Sequence, residues 1–304
     1  MDAVRGLAAD NVWRSLLTES VRATVVSSFD HAVNLELDGS LLTLVAASGR
    51  PAPGALVTDA PGFPRLAAGT SVEIGAGWVR CGSVSVDATN CRFFSCEATA
   101  VDSPALPPDT TRWRDALLAC AVPGSFVATG SQSPFDRALH LRLVIAAQQL
   151  QHALGAALTA TGTVRLDGAV GGLVGLGVGL TPSGDDYLVG SLAALHHLPP
   201  AGTLGPVGPV VVALDATVAV WASGSTAVSE HFLRAGAEGR FHHDVRWAAT
   251  AALSSPGDVT AAFEQVAAIG STSGTDVLHG LVDTLSTCLA LTQPDVSDVK
   301  EIFK

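Results

Sequence analysis

The feature that most constrains this chain is a glycine-rich apolar run that ends abruptly in two acidic residues. Residues 175–186 read GLGVGLTPSGDD. Pro182 suits the first turn of a helix, and Thr181 or Ser183 can cap the amides that a helix start leaves unpaired. Glycine lets the backbone approach a ligand closely. The pattern therefore predicts a loop that enters a helix, either as an ordinary capped helix or as a ligand-binding loop.

Before this run the chain has the character of a β domain. Apolar spacing in residues 4–17 predicts a short leading helix. Valine-rich and alternating segments then follow, and Asp38-Gly39 between two of them is a hairpin signal. The predicted strands cover residues 22–28, 31–37, 41–46, 72–74, 78–86 and 91–99. Short strands separated by Gly and Pro turns favour an antiparallel β barrel or sandwich-like domain.

After the proline-rich stretch 103–109 the composition shifts towards helix formers. Helices are predicted at residues 111–121, 134–158, 183–198, 207–221, 226–236, 242–253, 259–268 and 274–291. Of these, 207–221 also fits a buried strand, because it contains three consecutive valines. The sequence thus predicts an α+β fold, with a β-rich domain at 1–108 and a mainly α-helical domain at 109–304.

Charge and composition exclude several classes of partner. The chain has 28 acidic and 17 basic residues and a net charge of −11, which disfavours nucleic acid. The uncharged run at residues 168–184 is too rich in glycine for a membrane helix, and the N-terminus lacks the apolar core of a signal peptide. The five cysteines include no CxxC pair. We therefore expect a cytoplasmic protein with no membrane or nucleic-acid partner.

One internal repeat bears on function. Residues 183–190, SGDDYLVG, and residues 273–280, SGTDVLHG, share the pattern SGxDxLxG. Each copy would place amides, a hydroxyl and a carboxylate at a helix start. If the two starts converge, they form one polar pocket for a small anion. The residues concerned are Ser183, Gly184, Ser273, Gly274 and Asp276.

Asp185 and Asp186 are the candidate catalytic residues. The alternative is a helix start stabilised by acidic residues in its first turn. As functional groups they could orient an amide or hold Mg²⁺, so Mg²⁺ is a possible cofactor and none is certain. The further candidate substrate-binding residues are Gly177, Gly179, Thr181, Ser225, Thr226 and, in the β domain, Asn34. The sequence contains no HExxH, GxSxG or GxxxxGK[ST] motif.

Several of these segments resemble the AllH family, formerly a bacterial domain of unknown function. The similar segments are GLGVGLTPSGDDYLVG, GSTAVSEHFLRAGAEGRF, AIGSTSGTDVLHGL and, near the N-terminus, SSFDHAVNL. The namesake is a subunit of the multi-subunit oxamate carbamoyltransferase of allantoin degradation. The resemblance implies a role, with sister subunits, in phosphorolysis of oxalurate to oxamate and carbamoyl phosphate. It brings no established catalytic residues.

The chain departs from well-known carbamoyltransferases in one respect. Their Ser-Thr-Arg-Thr phosphate motif is missing, because Ser225-Thr226 is followed by Ala227. The leading hypothesis is therefore a subunit of an oxamate-carbamoyltransferase-like complex that binds carbamoyl phosphate, phosphate or an oxamate-like anion at helix N-termini. The alternatives are a non-catalytic assembly or ligand-sensing subunit, and a stand-alone Mg²⁺-dependent hydrolase that uses Asp185 and Asp186.

Overall fold

The computed structural model describes residues 4–102, 104, 110–128, 133–159, 165–200, 206–254 and 258–291. The chain divides into two compact units. The first comprises Met1–Glu97 and Arg240–His243, and the second Ala98–Gly239 and Asp244–Lys304. The predicted boundary stretch, residues 103–109, lies mostly outside the described residues. The division between Glu97 and Ala98 falls just before it. A short later segment also belongs to the first unit.

The first unit is a closed β barrel of eight strands with a ninth strand beside it. In chain order the strands are β1 Val4–Asp10, β2 Ser20–Ser28, β3 Ala32–Leu37, β4 Ser40–Val45, β5 Ala55–Thr58, β6 Ser71–Gly75, β7 Trp78–Cys81, β8 Val84–Asp87 and β9 Arg92–Phe94. Their order is β5-β4-β3-β2-β6-β7-β8-β1-β9, and a pairing between β5 and β1 closes the barrel. This confirms the predicted N-terminal barrel.

The barrel is mixed, since β1 runs parallel to β8 and β9, and β4 runs parallel to β5. The predicted hairpin at Asp38-Gly39 joins the antiparallel strands β3 and β4, and both turn residues have positive φ. Alternate side chains such as Val33, Leu35 and Leu44 are fully buried and form the core. Burial of this inward-facing set stabilises the closed sheet.

Three predictions for the first unit were wrong. Residues 4–10 form strand β1, and only Trp13–Leu16 is helical (α1). The apolar spacing there fits a helix or a strand. Hydrogen-bond pairing with three neighbouring strands stabilises the strand. The predicted strand 78–86 is the β7–β8 hairpin, which turns at Gly82 with φ of 56°. The predicted strand 91–99 is confined to β9.

The second unit is helical, as predicted. Its helices are α2 Thr111–Cys120, α3 Pro134–Thr159, α4 Asp167–Gly171, α5 Ser183–His197, α6 Val207–Trp221, α7 Ala227–Ala237, α8 His243–Leu253, α9 Val259–Ala267 and α10 Ser273–Ala290. The ambiguous segment 207–221 is a helix. The short helix α4 was not predicted, because its glycine-rich sequence has low helix propensity. Helices α5 and α10 are buried over most of their surface.

Among the described residues, one stretch is long and apolar enough to cross a membrane. It is Val207–Gly224, with a mean hydropathy of 1.6 and 28% of its length buried inside the protein. This stretch comprises α6 and the 3-10 turn that follows it. Asp215, near its middle, pairs with His196 at 3.0 Å. The expectation of no membrane partner stays a prediction.

Candidate functional site

The site is built around the crossing of α5 and α10. A Cβ on Gly190 would lie 1.9 Å from the carbonyl oxygen of Val277, and a Cβ on Gly280 would lie 2.0 Å from that of Tyr187. No side chain fits at either distance, so the two backbones are in direct contact. Gly190 and Gly280 are the last residues of the two SGxDxLxG copies. The repeat therefore encodes a close helix crossing.

The second residue of each copy is also a glycine in contact with backbone. A Cβ on Gly184 would lie 2.1 Å from the carbonyl oxygen of Leu173, which follows α4. A Cβ on Gly274 would lie 1.8 Å from that of Val266 in α9. Each helix start is thus seated against the backbone of the segment before it. Together with the crossing, this brings the two predicted starts to one place.

The fourth residues of the two copies, Asp186 and Asp276, are buried carboxyls at this junction. They are 8% and 0% exposed, and each has one buried oxygen, Oδ2, with no hydrogen-bond partner among the described residues. Burial, followed by the negative charge of Asp276, raises the pKa of Asp186 well above its usual value. Burial also raises the pKa of Asp276, to about 6. Burial at this junction therefore favours the protonated form of Asp186 more strongly than in an exposed carboxyl.

Hydroxyl groups surround the two carboxyls and link the helix starts. Thr181 Oγ1 and Ser273 Oγ lie 2.7 Å apart, and both lower the pKa of Asp186. Ser183 Oγ donates to Ser125 Oγ at 2.7 Å, and Ser125 Oγ donates to Thr272 Oγ1 at 3.3 Å. These hydroxyls can turn to donate or accept, so the junction can adapt to either kind of ligand group.

Asp276 is also tied to the segment before α3. The amide of Phe126 donates to Asp276 Oδ1 at 3.3 Å, and the hydroxyls of Ser183, Ser125 and Thr272 lower the pKa of this carboxyl. The Phe126 ring stacks on that of Tyr187, with centroids 4.9 Å apart. The segment therefore closes one side of the junction.

Asp185 belongs to a different network. Its Oδ1 accepts from the Gly175 amide at 2.8 Å, and its Oδ2 accepts from the hydroxyls of Ser225 and Ser229. Burial raises its pKa, and these hydrogen bonds lower it. Because adjacent helix residues point to different faces, Asp185 and Asp186 do not form one ligand set. Asp185 instead holds the glycine loop against the start of α7.

The glycine loop requires its glycines. Gly177 and Gly179 have φ of 139° and 95°, and a Cβ on Gly177 would lie 2.5 Å from the Ser183 amide nitrogen. Thr226 caps α7 by accepting from the Ser229 amide, and its hydroxyl donates to the carbonyl of Leu180. Ser225 and Thr226 directly precede α7. Thr226 therefore attaches the loop to this helix through Leu180, and Ser225 does so through Asp185.

Helix-start amides were expected to be free for an anion, but several already have acceptors. Gly184 donates to the carbonyl of Leu176, and Asp185 and Asp186 donate to that of Pro182. Gly274 donates to Ile269 and Asp276 to Thr272. The polar groups available at the junction are therefore mainly side-chain hydroxyls and carboxyls.

The remaining candidate, Asn34, lies in the first unit on β3. Its Nδ2 donates to Ser27 Oγ at 3.0 Å, and its Oδ1 accepts from Thr43 Oγ1 at 2.9 Å. These are cross-strand hydrogen bonds with β2 and β4, and they satisfy a side chain that is only 7% exposed. The structure does not group Asn34 with the other candidates in the helical unit.

Sequence reasoning missed four residues that hold the junction: Ser125, Phe126, Ser229 and Thr272. Residues 121–127 have no helical or strand period, so nothing marked Ser125 and Phe126. Ser229 lies three residues after Thr226. If Thr226 caps a helix, the Ser229 side chain comes near the acceptor of Ser225, which is Asp185, so the sequence did offer a signal for Ser229. Among the residues that the structure describes, no group of three or more His, Cys, Asp or Glu could hold a metal ion.

The fold and site define a class of protein in which a β barrel accompanies a helical unit with two buried carboxyls at a repeated helix start. Two family models match the chain. The one described as AllH family N-terminal domain matches residues 5–93, and the one described as oxamate carbamoyltransferase subunit AllH matches residues 173–285. The chain belongs to the AllH family. No solved structure matches it.

The first match covers most of the barrel unit, and the second covers a part of the helical unit together with Arg240–His243 of the first unit. Residues 5–93 contain all nine strands of the barrel unit, except the first residue of β1 and the last of β9. Residues 173–285 extend from the end of the α4 segment into α10 and include both SGxDxLxG copies. The family assignment therefore includes the residues that form the paired-carboxyl junction.

Proposed function

We propose that this chain acts as a subunit of a complex that converts oxalurate and phosphate to oxamate and carbamoyl phosphate. In this proposal the junction of α5 and α10 binds the carbamoyl or amide part of the substrate. One observation carries it: Asp186 and Asp276, in an AllH-family chain, are buried carboxyls, and one oxygen of each has no hydrogen-bond partner in the part of the chain that the structure describes. A buried polar group without a partner costs free energy unless a ligand or proton satisfies it.

The chemistry of an amide or ureido group suits this junction. Such a group offers N–H donors and a carbonyl acceptor, and a protonated carboxyl offers an O–H donor together with acceptor oxygens. Asp186 is the more exposed of the two, and burial raises its pKa, which favours the protonated, donating form. We assign substrate contact to Asp186. Asp276, which has no exposed area, is then a positioning residue that raises the pKa of Asp186.

The reaction needs a proton at the group that leaves. Attack of a phosphate oxygen on the carbamoyl carbon forms a C–O bond and breaks the C–N bond, and the departing oxamate nitrogen must take up a proton. A carboxyl that holds a proton at neutral pH can supply it. In the reverse direction the resulting carboxylate takes that proton back.

The anionic end of the substrate needs a separate group. Helix N-termini favour negative charge, and Thr181 and Ser273 offer half-buried hydroxyls at both starts. The glycine loop, with Gly177 and Gly179, would cover this end, while Asp185, Ser225 and Thr226 hold the loop in position. A sister subunit would complete the phosphate site, because the described residues that form hydrogen bonds at the paired-carboxyl junction include no lysine or arginine.

The proposal includes sister subunits and a cytoplasmic location, with no nucleic-acid or membrane partner. Mg²⁺ is the alternative to this proton-donor role. A Mg²⁺ ion bound with the substrate would displace the proton of Asp186 and would have Asp186 and Asp276 as ligands, since Asp185 faces a different network. Isothermal titration calorimetry with Mg²⁺, on the chain and on its Asp186→Asn variant, tests whether Asp186 binds the metal.

The test uses the chain co-expressed with its sister subunits. Carbamoyl phosphate formation from oxalurate and phosphate is measured for the Asp186→Asn and Asp185→Asn complexes. We expect Asp186→Asn to lower kcat by roughly 100-fold or more, the usual range for loss of a proton-transfer group. Asp115→Asn on the exposed face of α2 is the matched control and should leave kcat unchanged. Full activity of an assembled Asp186→Asn complex would rule out proton transfer by Asp186 and would favour an assembly or ligand-sensing role.

A further inference from the structure

A polar stripe on α10 faces a cavity that is separate from the paired carboxyls. His279, Asp283 and Thr287 follow one another at intervals of four residues, so they lie along one face of the helix. The opposite side of α10 is buried through Leu278, Leu285 and similar residues. The three stripe residues are partly buried, so they border the cavity and not the apolar core.

The cavity has a volume of about 500 Å³ and lies between α2, α3 and α10. This volume is within the usual range for small-molecule sites. Its lining includes Arg114, Gln148, His279 and Asp283, with Phe126 at the end nearest the paired carboxyls. Neither Asp186 nor Asp276 lines it. Phe126 forms the wall between the two places, because its amide donates to Asp276 and its ring stacks on His279 with centroids 5.5 Å apart.

His279 lines this cavity and has one ring nitrogen without a partner in the described part of the chain. Its Nε2 atom is buried and has no hydrogen-bond partner among the described residues. Burial, followed by the charge of His140, lowers the pKa of His279 to about 4, so the ring is neutral at physiological pH. A neutral imidazole nitrogen needs one donor or acceptor to satisfy it. A ligand in the cavity would supply that group once the side chains that cover Nε2 shift, since this atom has almost no accessible surface.

Arg114 is the one positively charged side chain among the described residues that line the cavity. It is exposed on α2, and its charge lowers the pKa of Asp283, which burial raises overall. Asp283 Oδ2 accepts from Tyr187 Oη at 2.9 Å. An arginine next to a polar cavity is suited to a carboxylate, which its planar guanidinium can bind through two hydrogen bonds.

From this geometry we propose that the cavity is a second binding site, for a small carboxylic acid that also carries N–H donors. The ligand's carboxylate pairs with Arg114, its N–H groups face Asp283, and a further polar group satisfies His279 Nε2. The site does not depend on the reaction proposed above, since it uses none of the residues assigned to that reaction. Its position behind Phe126 would let occupancy influence the segment that holds Asp276.

The test follows the ring signals of His279 by NMR in the full chain, with the signals assigned by a His279→Gln variant. The probe is N-carbamoylglycine, which combines a carboxylate with N–H donors, and acetate is the comparison without such donors. We expect the His279 signals to shift with N-carbamoylglycine at concentrations up to about 10 mM and to respond much less to acetate. Arg114→Gln should raise the dissociation constant roughly tenfold or more, because it removes the charged partner.

Two variants show where the probe binds. Arg142→Gln removes an exposed arginine of α3 that does not line the cavity and should leave the dissociation constant unchanged. Asp186→Asn should also leave it unchanged. An absent His279 shift, or equal affinity in Arg114→Gln, would overturn the proposal. Binding lost in Asp186→Asn but kept in Arg114→Gln would place the probe at the paired carboxyls, which refutes the second site without refuting the proposed function.

Discussion

The starts of α5 and α10 share one sequence pattern, but different residues hold them in place. The shared positions make the same contacts twice: Gly184 and Gly274 meet backbone carbonyls, Gly190 and Gly280 form the crossing, and each aspartate lies at the junction. The third position differs, since it is Asp185 in α5 and Thr275 in α10.

That single difference decides what each start is connected to. Asp185 accepts three hydrogen bonds, one from the Gly175 amide and two from the hydroxyls of Ser225 and Ser229. Thr275 accepts one, from the Val122 amide at 3.0 Å. The repeat therefore builds a common junction, and its variable position attaches the glycine loop on one side and the segment before α3 on the other. Substitutions at shared and unshared positions should consequently have different effects.

The largest effect is expected at the shared crossing. Gly190→Ala or Gly280→Ala adds a Cβ about 2 Å from a backbone carbonyl oxygen, so the helices must separate. We expect a loss of about 3 kcal/mol or more in the free energy of unfolding, the upper range for overpacking. Urea unfolding followed by circular dichroism measures it. Gly168→Ala in α4, where a Cβ meets nothing within 4 Å, is the control and should be neutral or slightly stabilising. Equal stabilities for the three variants would refute the direct backbone contact.

The next effect concerns the shared carboxyls and depends on pH. The pKa of Asp276 rises from 3.8 to about 6 on folding, so its stabilising effect is complete below pH 3.8 and is lost as pH rises through 6. The corresponding free-energy change is about 3 kcal/mol. We therefore expect Asp276→Asn to gain stability relative to wild type between pH 4 and pH 7, by up to about that amount.

Measuring the difference between the two proteins removes an opposing contribution. Burial lowers the pKa of His197 and His279 to about 4, so both histidines destabilise the fold as pH falls from 6.5 towards 4. They are present in both proteins, and their effect largely cancels in the difference. Urea unfolding at several pH values gives the curve. A difference that does not change with pH would show that Asp276 is not perturbed by burial.

A smaller effect is expected at the unshared position of α5. Asp185→Asn turns a carboxylate that accepts three hydrogen bonds into an amide with one acceptor oxygen. We expect a cost of about 1 to 3 kcal/mol and faster hydrogen exchange in residues 174–182. Asp115→Asn, at an exposed position, should change neither. If exchange in the glycine loop is unaffected, Asp185 does not hold it.

Sequence patterns predicted most of this architecture because the responsible interactions are local. Helical periodicity predicted the eight longest helices of the second unit, and the SGxDxLxG repeat placed Asp186 and Asp276 together. Pairing between distant segments was harder to foresee. Strand β1 depends on three neighbours, and Ser125 reaches the junction from a segment with no periodicity. The orientation of Asp185 away from Asp186 follows from helix geometry and was predictable.

The smallest effect is expected at the unshared position of α10. Thr275→Val keeps the side-chain shape and removes the acceptor of the Val122 amide, so that donor loses its partner. Because Val122 is only partly buried, water can replace part of the lost bond, and we expect a cost of about 1 kcal/mol. Thr275→Ser restores the hydroxyl and should recover most of the stability, while the hydrogen exchange rate of the Val122 amide reports the bond itself. Thr275→Val could also lower the free energy of unfolding as much as Asp185→Asn does. In that case the third position holds the two helix starts equally firmly, despite its different number of hydrogen bonds in each.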